Sequence, residues 1–510
     1  MINGVGRDIP DEIKGYGKVR HYKGAFEYVP TGNRYGPVKK FIKPGEDKIM
    51  TLRNVIKKYV KDGMTISFHH AFRNGDVLVN RVLDICSDLG IKNLRLFPSA
   101  LFPCHEPVIE HIKNGVVTRI EGSMNGPVGE AVSHGILPYP AVLRSHGNRY
   151  RTVEAGEVHI DVAFIAAPTS DEYGNANGIY GPTPCGPLIY SKVDSLYADK
   201  VIVVTNNLVD YPAFPMTIKQ TDVDHVVVED NIGDPKGIVS GTLRITRSPR
   251  RLKIARTVVD VIRASGVLKD GFSFQAGAGG ISLAVTKYLG EAMEEEDIVG
   301  SFGMGGSTRY LVDILKKGRL RCILEGQCFD EEAIKSLREN PNHVIVDPSF
   351  YANYNSRGNA VYKEDVAFLG ATEIDTKFNV NVNTHSDGLL LHGIGGHQDV
   401  ASGARICIIT APLLRDRIPV IVKDVTTVTT PGETVDVVVT DVGVAVNPRR
   451  KDLLEKLKAA DIEVRDIKEL QEEAYDIAGE PEKPETKDRI IAVIQYRDGS
   501  VIDVVKEVKE

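Results

Sequence analysis

The chain contains 510 residues, enough for about three domains or for two large domains with an appendage. Its 63 Lys and Arg residues and 69 Asp and Glu residues give a net charge of −6 that is spread over both halves, which argues against a nucleic-acid binder. Hydrophobic residues make up 42% of the sequence, but the apolar runs, such as residues 201–204, are far shorter than the roughly 18 residues that span a bilayer.

The N-terminal region is predicted to form an extended arm. Over residues 1–45, Gly and charged residues are frequent and four prolines interrupt any helical or strand periodicity. Such arms usually contact a neighbouring subunit or domain. Residues 1–15 show neither a basic, apolar signal region nor an Arg-rich transit pattern, so we expect a cytoplasmic location.

Two long stretches, residues 46–248 and 249–446, alternate amphipathic helices with short β-branched runs. Examples of such runs are HIDVAFIAA at residues 159–167 and DKVIVVTNN at residues 199–207. This alternation predicts two α/β domains in tandem, each with an open, mostly parallel sheet.

The two predicted domains also resemble each other. An Asp-Gly turn followed by a strand begins at Asp62 and again at Asp270, and a strand followed by Glu-Gly contains Glu121 and then Glu325. The two pairs are separated by 208 and 204 residues, which predicts an internal duplication. The alternative is that unrelated α/β domains share the same turn pattern.

The C-terminal region, residues 447–510, has a different pattern. Leucines and isoleucines spaced among charges up to residue 475 predict surface helices. A Pro-rich linker at residues 479–488 precedes two alternating strands around the turn Asp498-Gly499. We expect a β-hairpin that adds to a sheet edge.

The cysteines and histidines give no metal or disulfide pattern. The six cysteines are far apart and contain no C-x-x-C pair, so we expect reduced, mostly buried thiols. The three histidines of THSDGLLLHGIGGHQD, which starts at residue 384, lack the spacing of a zincin or a zinc finger. His397 and Asp399 of this string adjoin a glycine segment and are candidate contact residues.

Three Gly-rich segments in the second half are candidates for binding a ligand. Glycines at strand ends let a ligand approach the backbone and turn N–H groups toward an anion. A dinucleotide site is disfavoured because the sixth position of each G-x-G-x-x-G frame is Ser282, Thr308 or Gln398. A thioester with its carrier arm, held by backbone N–H groups as an oxyanion hole, fits better. The candidate glycines are Gly277, Gly279 and Gly280 in the first glycine segment, Gly303, Gly305 and Gly306 in the second, and Gly395 and Gly396 in the third.

Candidate catalytic and substrate-binding side chains follow an early strand. In SFHHAFRNGD, which starts at residue 67, His69 and His70 point to opposite faces of a strand and cannot easily share a metal, so we expect one of them to serve the site. Arg73 is a candidate clamp for a carboxylate, as are Arg144 and Arg309. For each arginine the alternative is an ordinary surface position.

Six long strings are distinctive. They are SFHHAFRNGD from residue 67, FPSALFPCHEPVIEHIKNGVVTRIEGSMNGPVGEAVS from 97, APTSDEYGNANG from 167, GSFGMGGSTRYLVDIL from 300, THSDGLLLHGIGGHQDVASGA from 384 and QYRDGSVIDVV from 495. Together they resemble one family, the α subunit of citrate lyase, within the CoA-transferase superfamily. The resemblance extends from about residue 7 to residue 504.

The resemblance implies a cytoplasmic transferase subunit in an oligomeric complex. Acetyl on an acyl carrier protein would be replaced by citrate, giving citryl carrier and acetate. A β subunit would then cleave the citryl thioester, and a γ subunit, the acyl carrier protein, would bear an arm of phosphoribosyl-dephospho-CoA, which CoA itself resembles. No tightly bound cofactor of this chain is implied.

Many CoA transferases form a glutamyl thioester in a Ser-Glu-Asn-Gly string or ahead of a helix after a glycine turn. The comparable strings here read Ser123-Met124-Asn125-Gly126 and Gly303-Met304-Gly305-Gly306, without the glutamate, and leave Asn125 as a candidate. We therefore expect direct attack of citrate through a mixed anhydride. Glu121 and Glu325 keep a covalent route open.

Two shorter strings carry over from the wider superfamily. GIGGHQD resembles its G-x-G-G-Q-x-D loop at the CoA and acyl site, which implies Gly395, Gly396, Gln398 and Asp399 as neighbours of that site. DEYGN, at residues 171–175, resembles an Asp-x-x-Gly-Asn turn whose role is expected to be structural.

Three other functions compete with this one. Citramalate lyase has a closely similar α subunit. A non-catalytic scaffold of the lyase complex belongs to another class, and a nicotinamide oxidoreductase is the remaining alternative.

Overall fold

The computed structural model describes residues 1–27, 32, 36–38, 46–239, 244–277, 279–356 and 358–509. The predicted arm over residues 1–45 therefore lies partly outside the described residues. None of the helices in these ranges is both long and apolar enough to cross a membrane.

The helices range from five to seventeen residues. In chain order they are α1 (Leu52–Tyr59), α2 (Leu78–Asp88), α3 (Val108–Lys113), α4 (Pro127–Ser133), α5 (His146–Glu154), α6 (Ile189–Tyr197), α7 (Pro249–Ser265), α8 (Gly280–Glu295), α9 (Arg309–Lys316), α10 (Glu331–Glu339), α11 (Pro348–Ala352), α12 (His397–Gly403), α13 (Lys451–Ala459) and α14 (Ile467–Ala478).

The strands are mostly short. In chain order they are β1 (Glu12–Ile13), β2 (Gly17–Lys18), β3 (Thr65–Phe68), β4 (Leu94–Pro98), β5 (Ala100–Leu101), β6 (Val117–Ile120), β7 (Ser123–Met124), β8 (Ala141–Leu143), β9 (Val162–Ala166), β10 (Thr169–Ser170), β11 (Ala176–Asn177), β12 (Lys200–Thr205), β13 (His225–Val228), β14 (Ser273–Ala276), β15 (Gly300–Ser307), β16 (Leu320–Cys328), β17 (His343–Ile345), β18 (Val366–Gly370), β19 (Glu373–Asp375), β20 (Val380–Asn381), β21 (Ile406–Thr410), β22 (Leu414–Arg415), β23 (Ile418–Pro419), β24 (Ile421–Val422), β25 (Val437–Val439), β26 (Val444–Val446), β27 (Thr486–Gln495) and β28 (Val501–Val508).

The first large sheet has six strands in the order β13-β12-β9-β3-β4-β6, and all of them run parallel. Strand β9 is buried along its whole length, as the continuous apolar run VAFIA requires when helices cover both faces of a parallel sheet. Helix α1 shows the complementary pattern, because Leu52, Val55 and Ile56 are buried while its lysines face solvent.

The second large sheet has eight strands in the order β17-β16-β15-β14-β18-β21-β25-β26. Its strands are parallel except for β26, which runs antiparallel to β25. The predicted α/β class with mostly parallel sheets is therefore confirmed. The run β25-β21-β18-β14-β15-β16 repeats the strand order of the first sheet.

The same turn, closed by an Asp side chain, follows β9 in the first sheet and β18 in the second. The Asp171 carboxylate accepts hydrogen bonds from the Asn175 backbone N–H at 3.0 Å and from its amide Nδ2 at 2.8 Å. The Asp375 carboxylate accepts the equivalent pair from Asn379 at 2.9 and 3.0 Å. Both turns stabilise a buried loop through an Asp side chain that mimics a backbone acceptor.

The two ends of the chain lie together. Strand β27 pairs antiparallel with β28 and parallel with β8 of the first half. The N-terminal residues pack on this hairpin, because Val501 donates its N–H to the Arg20 carbonyl at 2.7 Å and Ile9 and Ile13 form a small core with Val493 and Val501. The described part of the arm thus contacts its own chain.

The glycines of GSFGMGG differ from the prediction, which placed them at the end of a strand. Gly303, Gly305 and Gly306 lie inside β15, with an irregularity between the last two. The hydrogen bonds of β15 to its two neighbours outweigh the low strand preference of glycine. A positive φ of 103° at Gly305 favours glycine at that point.

Candidate functional site

The two halves of the chain meet where β3 ends, and Arg73 lies at that junction. Its guanidinium carbon is 4.8 Å from the ring centroid of Phe102 in the first half and 5.0 Å from that of Phe329 in the second. Both rings hold the cation by its favourable interaction with an aromatic face. Burial lowers the pKa of Arg73 to about 10, so the side chain stays charged at neutral pH.

A cluster of aromatic rings adjoins this junction. The ring of His70 lies 4.8 Å from that of Tyr190 and 6.0 Å from that of His146, and its Nδ1 is 2.6 Å from the Ser99 hydroxyl. The rings of His146 and Tyr190 are also 4.8 Å apart. The cluster joins residues from four separate segments of the first half.

Both histidines of the cluster are neutral near pH 7. Burial, and after it the charges of Arg149 and Arg73, lowers the pKa of His146 to about 4. Burial and the neighbouring His146 and Arg73 hold the pKa of His70 well below its usual value. Arg73 beside neutral imidazoles suits an anionic ligand that needs one strong cation and additional hydrogen-bond donors.

Backbone from the second half closes the other side of the site. The His146 N–H donates to the Gly395 carbonyl at 2.9 Å, which fixes the third glycine segment against the ring cluster. A side chain on Gly396 would overlap the Tyr351 hydroxyl, and that hydroxyl donates to Gln275 Oε1 at 3.4 Å. Glycine at this point therefore permits the close packing.

The Gln275 side chain extends the contact to β15. A Cβ on Gly305 would lie 2.9 Å from the Gln275 amide, and a side chain on Gly306 would overlap the ring of Phe329. Gln275 thus adjoins the second glycine segment directly and the third through the Tyr351 hydroxyl.

Glu121 is held in a buried ion-pair cluster. Its carboxylate accepts from Arg144 at 2.5 Å and from Arg95, while Arg144 Nε donates to Gln495 Oε1 at 2.8 Å. Burial alone would raise the pKa of Glu121, but the guanidinium groups of Arg144 and Arg95 outweigh it and lower the pKa. Arg144, a candidate for substrate binding, is engaged with this carboxylate.

Glu325 is fully buried in the second half. Its carboxylate lies 2.9 Å from His343 Nε2, accepts from the Gln327 N–H at 2.7 Å and contacts the Ser307 hydroxyl. The side chains of Glu325 and His343 are both 0% exposed. The carboxylate oxygens are thus engaged by neighbouring donors.

Asp399 faces the first turn of α5. Its carboxylate accepts from the Ser145 hydroxyl at 2.9 Å and from the Gly147 N–H at 3.0 Å, and it lies 3.4 Å from Arg497 Nε. Burial raises the pKa of Asp399 to about 6, although Arg497 opposes the shift. Asp399 therefore positions the helix that begins with His146.

The other two polar residues of GIGGHQD are also tied to the protein. His397 lies 2.7 Å from the Thr430 hydroxyl and 3.0 Å from the Gly370 carbonyl. Gln398 donates its amide Nε2 to the backbone carbonyl of Thr429 at 2.8 Å. These contacts hold His397 and Gln398 in place and so stabilise the third glycine segment, which directly precedes them.

The remaining candidates from the sequence lie at separate places. His69 Nε2 is 3.1 Å from the Ala166 carbonyl, and Asn125 donates its Nδ2 to the Leu101 carbonyl at 2.6 Å. Arg309 is exposed at the start of α9.

The other glycine candidates divide between two surroundings. A Cβ on Gly303 would meet Leu311 of α9, so this glycine faces the helix layer. Gly277 would meet Ser282, whereas Gly280 adjoins the backbone of Arg244 and Thr246, and Gly279 precedes Gly280 in the same turn.

Sequence reasoning missed most of the aromatic and amide side chains of the site. Single Tyr, Phe, Gln or Ser residues carry no spacing signal, although His146 lies two residues after the candidate Arg144 and Gln275 lies two residues before the candidate Gly277. The missed residues are Ser99, His146, Tyr190, Gln275, Phe329 and Tyr351.

Two further features lie away from the junction. A cleft of about 430 Å³ between the C-terminal hairpin and residues 422–427 is lined by groups of both charge signs, including Arg7 and Asp503. His159, Asp161 and Asp199 bring possible metal ligands within 4.8 Å of one another beside the first residues of β9 and β12. This second group is largely exposed.

Comparison with known proteins matches residues 46–508 to the family described as citrate lyase, alpha subunit (CitF). The chain belongs to the citrate lyase α subunit family. It is 49% identical over 462 residues to the citrate lyase alpha chain of Haemophilus influenzae, covering 90% of this chain and 92% of the relative. It is 50% identical over 452 residues to that of Escherichia coli K12, covering 88% and 89%.

A solved structure agrees with this membership. A crystal structure described as an alpha subunit of citrate lyase from Streptococcus mutans in complex with citrate covers 100% of both chains, with a TM-score of 0.96 and 46% identity. The two proteins therefore share one fold.

Proposed function

We propose that this citrate lyase α subunit exchanges the acyl group on a carrier thiol, replacing acetyl by citrate and releasing acetate. The observation that carries the proposal is the junction of the two halves. There, Arg73 between two aromatic rings, neutral His70 and His146, and the backbone of Gly395 surround one place. A tricarboxylate and a polar thioester carbonyl need this mixture of one cation, neutral donors and accessible backbone.

The proposed route is direct. A citrate carboxylate oxygen attacks the acetyl thioester carbon, the carbon–sulfur bond breaks and the carrier thiolate leaves, which gives an acetyl-citryl anhydride. The thiolate then attacks the citryl carbonyl of the anhydride, forming citryl thioester and expelling acetate. Backbone N–H groups of the glycine segments would stabilise the oxyanion that forms in each step.

Two observations favour the direct route over a glutamyl intermediate. Glu121 is neutralised by Arg95 and Arg144, and a paired carboxylate is a poor nucleophile. Glu325 is fully buried against His343, which keeps its carboxylate away from solvent. These contacts weigh against attack on the thioester by either glutamate.

Arg73 is the side chain proposed to hold a citrate carboxylate. A citrate lyase alpha subunit from Streptococcus mutans with 46% identity is described in complex with citrate, which supports citrate as the acid. Arg144 and His397 are engaged by the protein, so their proposed part is to support the site rather than to contact the acid.

The wider setting is also a proposal. The relatives are named alpha chains, which supports a complex with other subunits, for which we propose a β subunit and an acyl carrier protein. CoA or the carrier's phosphoribosyl-dephospho-CoA arm would bring the thioester. We also propose a cytoplasmic location. The chain would contain two CoA-transferase-like domains, residues 46–248 and 249–446, and a C-terminal appendage from residue 447.

The test is acetate release by the purified chain, with acetyl-CoA as surrogate carrier and citrate or citramalate as the acid. Release with citrate and little with citramalate is the expected result. Equal or faster release with citramalate would move the assignment to the sister enzyme. The same assay with acetyl-loaded carrier protein detects a chain that works only with its natural carrier, and no release with either carrier would indicate a scaffold.

A second experiment addresses the route. Borohydride or hydroxylamine is added during turnover, and the chain is then searched for a modified glutamate by peptide mass spectrometry. We expect none, whereas a trapped glutamyl thioester at Glu121 or Glu325 would establish the covalent route.

A further inference from the structure

A strongly basic segment precedes and begins α7. Its arginines are all exposed, and within the described ranges none of them makes an ion pair. We call this set the basic segment, and its members are Arg244, Arg247, Arg250 and Arg251.

The basic segment lies at the same sheet edge as the candidate site. The Thr246 N–H donates to the Gly280 carbonyl at 3.1 Å, which joins the segment to the first residue of α8 directly after β14. Helix α7 precedes β14 and runs in the opposite direction to it. The first turn of α7 therefore lies at the edge of the sheet where β14 ends. At this edge Ala276 of β14 pairs with Gly305 of β15.

The helix itself does not explain these charges. The N-terminal end of a helix carries a partial positive charge, so acidic residues favour it and arginines oppose it. Arg250 and Arg251 nevertheless occupy the first turn of α7, which contains no acidic residue. Burial, and after it the charge of Arg251, lowers the pKa of Arg415 in β22, so Arg415 adds to the positive charge near the start of α7.

An anion with several charges compensates such a cluster. Guanidinium groups bind phosphate oxygens in a planar, two-pronged geometry, and exposed arginines without an internal partner are available for this. The distance to the glycine segments is bridged if the same ligand carries a long flexible chain between its phosphates and its reactive end.

We propose that the basic segment binds the phosphate groups of the phosphopantetheine-type arm whose thioester enters the site at the junction of the two halves. This inference rests on the proposed acyl exchange. The arm is the same whether it belongs to free CoA or to a carrier protein, so both sources are tested.

Two double variants remove charges in pairs, Arg244→Gln with Arg247→Gln and Arg250→Gln with Arg251→Gln. The matched control is Arg321→Gln with Arg338→Gln, which removes two exposed arginines without ion pairs among the described residues. Arg321 is the second residue of β16 and Arg338 is the next-to-last residue of α10, so both lie at the opposite edge of the second sheet.

Calorimetry measures binding of CoA and of pantetheine, which lacks the nucleotide and its phosphates. We expect each basic-segment variant to raise the Kd for CoA about tenfold or more, and to make CoA binding less sensitive to salt, while binding of pantetheine and the control variant stay within about twofold. An unchanged Kd for CoA in both variants, or an equal loss for pantetheine or in the control, would overturn the proposal.

The KM values for acetyl-CoA and acetyl-loaded carrier protein separate the two sources. A rise with both supports binding of the arm, whereas a rise with the carrier alone overturns it, because the segment would then bind the carrier's protein surface. If the parent chain binds CoA but transfers nothing, the proposed acyl exchange is wrong. The calorimetric test still shows whether the basic segment binds the phosphates of CoA.

Discussion

Replacing Asp399 with Asn tests the junction between the third glycine segment and α5. The carboxylate accepts hydrogen bonds from Ser145 and Gly147 and lies 3.4 Å from Arg497, and the side chains of Asp399 and Arg497 are 0% and 2% exposed. Asn keeps the size of the side chain but removes its charge and its titration. The variant therefore separates the ionisation of this group from its packing.

The magnitude follows from the raised pKa of Asp399, about 6 against about 4 for an ordinary Asp. Because the folded pKa lies above the unfolded one, the folded state takes up this proton first as the pH falls. The resulting stability is fully present below about pH 4 and is lost as the pH rises through about 6. Two pKa units correspond to about 3 kcal/mol in the free energy of unfolding.

The assay is urea unfolding of the parent and of Asp399→Asn between about pH 4 and pH 8, followed by circular dichroism because the chain contains no Trp. We expect the free energy of unfolding of the parent, minus that of the variant, to fall by about 3 kcal/mol as the pH rises from about 4 to about 8. A difference that stays constant with pH would refute the reasoning. The double variant with Arg497→Met is the control for a buried, unpaired guanidinium.

Three further predictions concern the site. Arg73→Met should raise the KM for citrate by about tenfold to a hundredfold, since a charged hydrogen bond contributes about 1.5–3 kcal/mol, with exposed Arg309→Met unchanged. Glu325→Gln should lower the free energy of unfolding by about 1–3 kcal/mol in urea, because the carboxylate oxygens accept from Ser307 and Gln327 and an amide NH2 in place of one oxygen cannot, yet leave kcat of the folded protein near that of the parent. Because the pKa of His146 is about 4, acetate release should stay level from about pH 6 to pH 8 and fall toward pH 4, and a fall near pH 6.5 while circular dichroism stays unchanged would contradict this assignment.

The sequence predicted the class of fold because that signal is local. Continuous apolar runs such as VAFIA at β9 and the spacing of buried residues in α1 each depend on neighbours a few residues away. The glycines of β15 show where this fails, because pairing with strands distant in sequence overrides the low strand preference of glycine.

The candidate site was predicted only in outline. The string SFHHAFRNGD identified His70 and Arg73, but their partners Tyr190 and Phe329 are more than a hundred residues away and carry no motif. Single aromatic residues are far more often part of a core than of a site, so spacing alone cannot select them.

The sequence by itself determined the alternation of helices and strands, the glycine segments and the membership of a family, since these depend on local order and long shared strings. Only the tertiary structure decided what surrounds each charged group. Arg144 and Arg73 read alike in the sequence, but one is paired with Glu121 inside the protein while the other lies between Phe102 and Phe329. The physical reason is that the ionic partner and the burial of an arginine depend on elements that meet only after folding.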